Sequence, residues 1–238
     1  MMSSQVPWYK RLWEEREQSG CEWPRVVERV DRLASMVDLT PGRAVLDVAC
    51  GAGGETVEMA ARGLAVTGLD LSSSMLQEAK RRARERRVQV HWLCMDMRDI
   101  AFRDVFDVVM VRDVIFGIFD RLTNDSILDQ LVKALRPDGE LLLEVYNKTF
   151  ALEHGIERIL RYNEVSGLFE GVIAHKSLCG HAETLCASVD LRTVDEWRDA
   201  FCGRNLRDFR CRTPDGGHDC EQSRIILVRG QRLGKIGT

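Results

Sequence analysis

No apolar run in the 238 residues approaches the 18 or so needed to span a bilayer, so an integral membrane protein of the helical kind is not expected. The first twenty residues hold no apolar stretch of the signal-peptide kind and are aromatic and charged at helical spacing, so export is not expected either. Charge of one sign is also missing. With 34 Lys plus Arg against 37 Asp plus Glu, the net charge of −3 provides no global field for gripping nucleic acid or an anionic membrane. No pair of the eight cysteines forms a CxxC, and a chain that is 45% hydrophobic can build a core without staples. The expectation is a cytoplasmic protein with free thiols. The sharper alternative is a zinc knot from His175, Cys179, His181 and Cys186, joined by Cys202, Cys211, His218 and Cys220, but such ligands usually come in tight pairs from defined turns. Internal repeats and low-complexity segments are absent too. The length fits one sizeable domain rather than two independent ones.

What is present is an alternation of two periods. Residues 4–38 predict two helices broken near Gly20 and Pro24, with Val26, Val27, Val30, Leu33 and Val37 at helical spacing. A continuously apolar strand over 43–49 then runs into the glycine cluster 50–54, a helix over 55–62 and a stop at Gly63. A second buried strand over 64–70 leads to a helix over 72–87, which the pattern Ser74-x-x-Gln77 would cap and Leu76, Ala79 and Ala83 would face inward. Strands follow at 88–93 and 106–112, then a helix over 124–135 stopping at Pro137 and a strand over 140–146 entered through Asp138 and Gly139. Five strands alternating with helices imply a parallel sheet covered on both faces. After Asn147 the rhythm breaks into a helix over 150–163 and some thirty residues with Gly167, Gly171 and Gly180 that resemble short strands. This segment, 148–192, is the candidate substrate lobe. The sheet pattern resumes with a helix over 194–202 capped by Thr193-x-x-Glu196 and strands over 207–212 and 224–229.

A parallel sheet binds ligands beyond the carboxyl ends of its strands, near the point where strand order switches. Three features converge there. Gly51, Gly53 and Gly54 let a ligand approach backbone, with a helix N-terminus behind them. Asp70 ends the second strand at nearly the spacing where an acid meets a ribose diol. Asp96 follows the third strand, where a carboxylate can accept from an exocyclic amine. Each has a structural reading by itself, as a tight turn, an N-cap or a turn residue. Three at strand ends in sequence order describe a nucleoside pocket. A dinucleotide is disfavoured, because Thr56 stands where the third glycine would lie and Glu55, in the first helical turn, would repel a diphosphate.

The runs from Val45 to Gly54, Val66 to Leu76, Asp96 to Ile100, Phe106 to Met110 and Leu135 to Leu142 resemble the successive motifs of class I S-adenosylmethionine-dependent methyltransferases. The resemblance covers about residues 43–147. It implies an α/β, Rossmann-like seven-stranded sheet, mostly parallel with an antiparallel last hairpin, with N-terminal helices over 1–40 and the lobe inserted after the fifth strand. It implies S-adenosylmethionine as cofactor and S-adenosylhomocysteine as product. It also implies roles. Asp47 would orient the glycine loop and the methionine amino group, and Ala49, Gly51 and Gly53 would line the methionyl and ribose parts. Asp70 would take the ribose hydroxyls, Leu71 and Met75 would flank adenine, and Asp96 would meet its amine with Met97 stacking. Val111 and Arg112 would border the sulfonium.

The acceptor is less legible. No Asn-Pro-Pro-Tyr-like motif follows the fourth strand, which disfavours methylation of base or amide nitrogens, and the loop 112–119 is similar to the glycine and aromatic loop of small-molecule methyltransferases. Arg112 and Asp113 depart from the small neutral residues common there. Asp113 has two readings, as a base or anchor for a cationic acceptor and as a partner of Arg112 or a helix cap. Tyr146, His154, His175 and His181 have the same double reading, and no catalytic base is named. Trp8, Tyr9 and Trp13 either form a lid, with Arg11 or Arg16 on the cofactor carboxylate, or dock a helix. The basic run 80–87 lacks interleaved aromatics and reads better as a solvated helix face than as an RNA dock. The expected partner is a small-molecule methyl acceptor, with no nucleic acid, no membrane, and a monomer or homodimer. The alternatives are an RNA or protein methyltransferase and a non-catalytic cofactor-binding protein.

Overall fold

The computed structural model describes residues 22–156, 160–176 and 182–234, with backbone alone for 173–176 and 182–185. The expected helix carrying Trp8, Tyr9, Arg11, Trp13 and Arg16 lies outside the described residues, as do Cys179 and His181. Helix α1 (Trp23–Ala34) carries Pro24 in its first turn, where a missing N–H costs nothing, and buries Val26, Val30 and Leu33. The alternation follows as β1 (Ala44–Val48), α2 (Gly54–Ala61), β2 (Ala65–Asp70), α3 (Ser73–Glu85), β3 (His91–Cys94), β4 (Phe106–Val111), α4 (Arg121–Ala134) and β5 (Leu135–Tyr146). Then come α5 (Lys148–His154), β6 (Arg161–Asn163), β7 (Leu168–Lys176), β8 (Ala182–Val189), α6 (Val194–Cys202), β9 (Leu206–Arg212) and β10 (Ile225–Arg232).

Seven strands form one sheet in the order β3-β2-β1-β4-β5-β10-β9. Only β10 runs against its neighbours, antiparallel to both β5 and β9. Alternate residues of each strand enter two cores, as a sheet covered on both faces requires. Leu46, Val48, Val109 and Val111 pack with Ile127 and Leu131 of α4 and Trp197 and Phe201 of α6. Val45, Val108, Met110 and Leu142 pack on the other face with Val30 and Leu33 of α1 and Met59 of α2. Side chains of this size contribute about 1.5–3 kcal/mol each when fully buried, so these two layers fix the strand ends between which the site lies.

Several boundaries differ from the sequence expectation. The cap of α3 is Ser72, whose hydroxyl accepts from the Met75 amide, and not Ser74. Strand β3 starts at His91, since Thr67 is the first β2 residue that it pairs. Asp120 caps α4 by accepting from the Thr123 amide, so this helix begins a turn before its apolar face shows. It ends at Ala134, and Leu135 already pairs with Phe106, because residues just before Pro137 disfavour helical backbone. The ladder to β4 then shifts register and resumes where Glu140 faces Val108. The helix expected over 150–163 is the short α5, stopped by Gly155 at φ +72. Beyond it, β6, β7 and β8 form a separate antiparallel sheet, built on Phe169, Ala187 and Val189 with Ile156 and Leu160.

Candidate cofactor and acceptor site

Parallel pairing brings the carboxyl ends of β1, β2 and β4 level, with Val48 beside Leu69 and Val111. Here β1 has partners on both sides that run to opposite edges of the sheet, which is the switch point. The chain leaves β1 through Ala49 at φ +57, Gly51 at +54 and Gly53 at +71. Gly53 is required by packing as well as by its backbone, since a Cβ there would lie 2.7 Å from the Trp92 ring and 2.8 Å from Ala79 Cβ. At Gly51 a Cβ would meet nothing within 4 Å. That is the open side of the turn.

Asp70 ties this turn to β2. Its Oδ2 accepts from the Gly51 amide and its Oδ1 from the Ser72 amide, both at 2.8 Å, and a carboxylate oxygen can accept more than one such bond. Burial raises its pKa, and the backbone amides of Ser72, Gly51 and Leu71 pull the other way. Leu71 and Met75 are half-buried beside it. Asp96 caps the 3-10 turn Met97–Asp99, and Arg98 grips its carboxylate through Nε at 3.1 Å and Nη2 at 2.7 Å. The Arg98 guanidinium also lies over the Phe119 ring at 5.0 Å. A ligand amine at Asp96 therefore shares the carboxylate with Arg98. Met97 packs against the core, and the Val111 side chain is wholly within it. Only the Val111 backbone borders the strand ends.

Asp47 and Arg112 point to the opposite sheet face from Val111. Asp47 is buried, accepts from Thr56 Oγ1 at 2.5 Å, and has its pKa pushed up by burial to about 7, with Glu55 and Asp113 adding to the rise. Arg112 donates through Nε and Nη2 to Glu144 at 3.1 Å, and its Nη1 lies 3.6 Å from Glu55. Burial opposes that charge, but Glu144, Glu55 and Asp113 outweigh it and raise the Arg112 pKa. Asp113, at φ +54, gives its amide to Glu144 and leaves its side chain exposed. Arg29 of α1 reaches Glu55 at 2.7 Å. The sequence reading missed Arg29 and Glu144 and took Glu55 only as a repelling charge. One signal was available, an acid inside the apolar run Leu141–Val145.

The β4–α4 loop is stitched to the inserted segment. The Asp190 amide donates to the Gly117 carbonyl at 2.7 Å, and Arg121 and Asn124 hold the buried Asp190 carboxylate at 2.8 and 3.3 Å. Burial raises the Asp190 pKa against these partners. A groove of about 410 Å³ lies between α4, α5 and the β6–β7 turn, with Arg121, Leu122, Lys148, Tyr162, Leu168 and Asp190 in its walls. Its two cations are already paired, Arg121 with Asp190 and Lys148 with Glu196 at 3.0 Å. Tyr146 packs against the inserted core, and Arg224 lies over its ring. His154 turns back to the Phe150 carbonyl and stacks on that ring.

In the basic run of α3, Arg81 and Arg82 pair with Glu78, and Arg86 pairs with Glu58 and covers Trp23. Among the described residues no group of three or more His, Cys, Asp or Glu side chains can hold a metal, and no helix is long and apolar enough to cross a membrane. Burial raises the Cys211 pKa, and the neighbouring Cys220 adds to the rise, which disfavours a reactive thiolate.

Comparison with known proteins agrees with this geometry. Residues 45–139 match the family model of the methyltransferase domain. Over that stretch the chain is similar to the class I S-adenosylmethionine-dependent methyltransferases, and its seven-stranded, mostly parallel sheet is the Rossmann-like fold of its structural neighbours. It is similar to phosphoethanolamine N-methyltransferase of Triticum aestivum, 34% identical over 122 residues, which are 50% of this chain and 24% of that protein. It is also similar to ubiquinone biosynthesis O-methyltransferase of Haemophilus ducreyi, 32% identical over 114 residues, 45% of this chain and 47% of that one. The chain thus matches less than half the length of either relative. A crystal structure of an S-adenosylmethionine-dependent methyltransferase from Clostridium acetobutylicum superposes with a TM-score of 0.69 over 95% of this chain and 98% of that one, at 12% identity, which is a likeness of fold.

Proposed function

We propose that the protein transfers the methyl group of S-adenosylmethionine to a small-molecule acceptor seated in the groove beneath residues 148–192. The observation that carries this reading is that the glycine turn follows the carboxyl end of β1, while α4 and α5, whose first residues line the 410 Å³ groove, follow the carboxyl ends of β4 and β5 in the same sheet. A pocket of that size suits a small molecule rather than a polymer. The names of the relatives, which speak of phosphoethanolamine and of ubiquinone biosynthesis, support small acceptors of either N- or O-type.

The residues present fit the cofactor. Gly51 leaves its face open, each Asp70 oxygen can accept a second bond from a ribose diol, and among the described residues no cation is ion-paired with the buried Asp47 carboxyl. Leu71 and Met75 would flank the base, and Asp96 would meet its amine. When bound, S-adenosylmethionine supplies an already activated methyl carbon. The chain's part is alignment and exclusion of water, which can lower such a barrier by several kcal/mol. The loop 112–119, fixed through Gly117 to Asp190, would set the distance between donor and groove. A base is required only where the acceptor must lose a proton.

The paired arginines of α3 speak against an RNA dock, since their charge is spent on Glu78 and Glu58. The test is incubation with methyl-labelled S-adenosylmethionine and pools of small amines, phenols, carboxylates and thiols, beside total RNA and protein. Label in a small molecule is expected. Label in RNA or protein alone overturns the acceptor assignment, and cofactor binding without any transfer overturns the enzyme reading.

A further inference from the structure

Seven large apolar side chains stand exposed among the described residues, and four of them gather round the groove between α4, α5 and the β6–β7 turn. Leu122 and Tyr162 line it. Val165 sits in the β6–β7 turn beside Ser166 and Gly167, which also line it. Leu152 lies one helical turn beyond Lys148 on the same face of α5. Two of these positions ordinarily take polar residues. Leu122, in the first turn of α4, is on the side of the helix opposite Ile127, Leu128 and Leu131 and is 81% exposed. Val165 is 98% exposed in a turn, where Gly, Asn, Asp and Ser are usual. That turn is firmly built. Asn163 Oδ1 accepts from the Val165 amide at 2.9 Å and the Asn163 carbonyl accepts from the Gly167 amide at 2.8 Å, so Val165 is held outward.

The charges of the groove are meanwhile spent inside the protein. Arg121 Nε lies 2.8 Å from Asp190 and its Nη2 donates to the Leu191 carbonyl, while Lys148 Nζ donates to both oxygens of Glu196, at 3.0 and 3.3 Å. Asp120 accepts from the Thr123 amide and hydroxyl. An acceptor carrying a phosphate would have to draw these cations from their partners, and Arg121 would leave the buried Asp190 carboxylate behind, which is costly. An apolar body would cover exposed Leu and Val surface and disturb none of these pairs.

We propose that the acceptor is amphipathic, with a small polar methyl-accepting group lodged in the groove and an alkyl or aromatic body lying across Leu122, Leu152, Tyr162 and Val165. This rests on the groove being the acceptor site, as read above. The rim binds a part of the acceptor remote from the reacting atom, and the ion pairs shape the floor without being broken.

Titration of the S-adenosylhomocysteine complex with 4-alkylphenols and n-alkylamines, each from ethyl to octyl, tests this beside O-phosphoethanolamine, which is charged and has no apolar body. In at least one series each CH₂ laid on the rim is expected to tighten Kd about two- to fourfold. O-phosphoethanolamine is expected to bind more weakly than the octyl compound of that series. Leu122→Ser and Val165→Ser should flatten the gradient, with S-adenosylhomocysteine affinity within about twofold of wild type showing that both variants are folded. No gradient in either series, a gradient unaltered in both variants, or tighter binding of O-phosphoethanolamine overturns the proposal. So does dissociation of a wild-type oligomer by these substitutions in sedimentation runs, which would make the rim a contact between copies of the chain. Methyl label found only in hydrophilic small molecules overturns the amphipathic acceptor and leaves the small-molecule assignment standing. Label in RNA or protein alone overturns that assignment itself, and failure of the wild type to bind S-adenosylhomocysteine overturns the donor.

Discussion

The Gly51 amide donates to Asp70 Oδ2 at 2.8 Å, and Asp70 Oδ1 receives the Ser72 amide at the same distance. One carboxylate thus binds the floor of the glycine turn to the start of α3, and what remains of its acceptor capacity faces the proposed ribose. Asp70→Asn keeps the shape but replaces one acceptor oxygen by a donor, so one of the two amides loses its partner, a cost of about 1–3 kcal/mol. The expected result is a lower melting temperature together with at least tenfold weaker S-adenosylmethionine binding. Stability loss with unchanged affinity would leave Asp70 a purely structural tie.

Asp47 makes stability fall as pH rises. Its pKa is about 7 in the folded protein against 3.8 as its ordinary value, so between these limits the folded state holds a proton that the unfolded chain has released. Stability is therefore fullest below about pH 4 for this group and declines up to about pH 7, with a slope that reaches on the order of 1.4 kcal/mol per pH unit. Asp47→Asn, which cannot titrate, should flatten this part of the profile. Urea midpoints of both proteins at pH 5 and pH 8 check it. Equal pH dependence in the two would contradict the assignment.

The sequence made the sheet legible because its strands are continuous apolar runs, buried on both faces, and a run such as Phe106–Val111 has no other stable setting. The glycine turn and Asp70 were legible because their spacing is local. What escaped was set by partners far along the chain. Glu55 looked like a bare acid at a helix start, yet Arg29 of α1 and Arg112 after β4 lie beside it. Ser74 and Ser72 carry the same side chain, and only the backbone entering α3 decides which one caps it. The segment 150–163 has helical composition, but Gly155 adopts φ +72 and sends the chain into the antiparallel sheet.

Gly117 is held by geometry that no other residue fits. It has φ +108, and a Cβ would lie 2.6 Å from the Asp190 carbonyl oxygen. Gly117→Ala must break the contact between the β4–α4 loop and the inserted segment or strain both, at roughly 1–3 kcal/mol. The expected signature is a fall in transfer rate with S-adenosylhomocysteine affinity nearly unchanged, because the glycine turn is elsewhere. Calorimetry beside single-turnover kinetics reads the two quantities separately, and an equal loss in both would place Gly117 in the donor site.

Lys148 and Tyr162 offer the sharpest separation of acceptor from donor. Both line the groove, the ammonium lying 5.8 Å from the Tyr162 ring centre and paired with Glu196. Neither touches the glycine turn or the Asp70 carboxylate. Tyr162 is partly exposed, so Tyr162→Ala removes an apolar wall at little cost in stability. Lys148→Met keeps the length of the stem while removing the charge. If the groove seats the acceptor, each change should lower kcat/KM for the labelled acceptor by tenfold or more while the Kd for S-adenosylhomocysteine stays within about twofold. Loss of donor affinity in step with kcat/KM would mean that the groove shapes the cofactor side, and unaltered kcat/KM would mean that the acceptor is seated elsewhere.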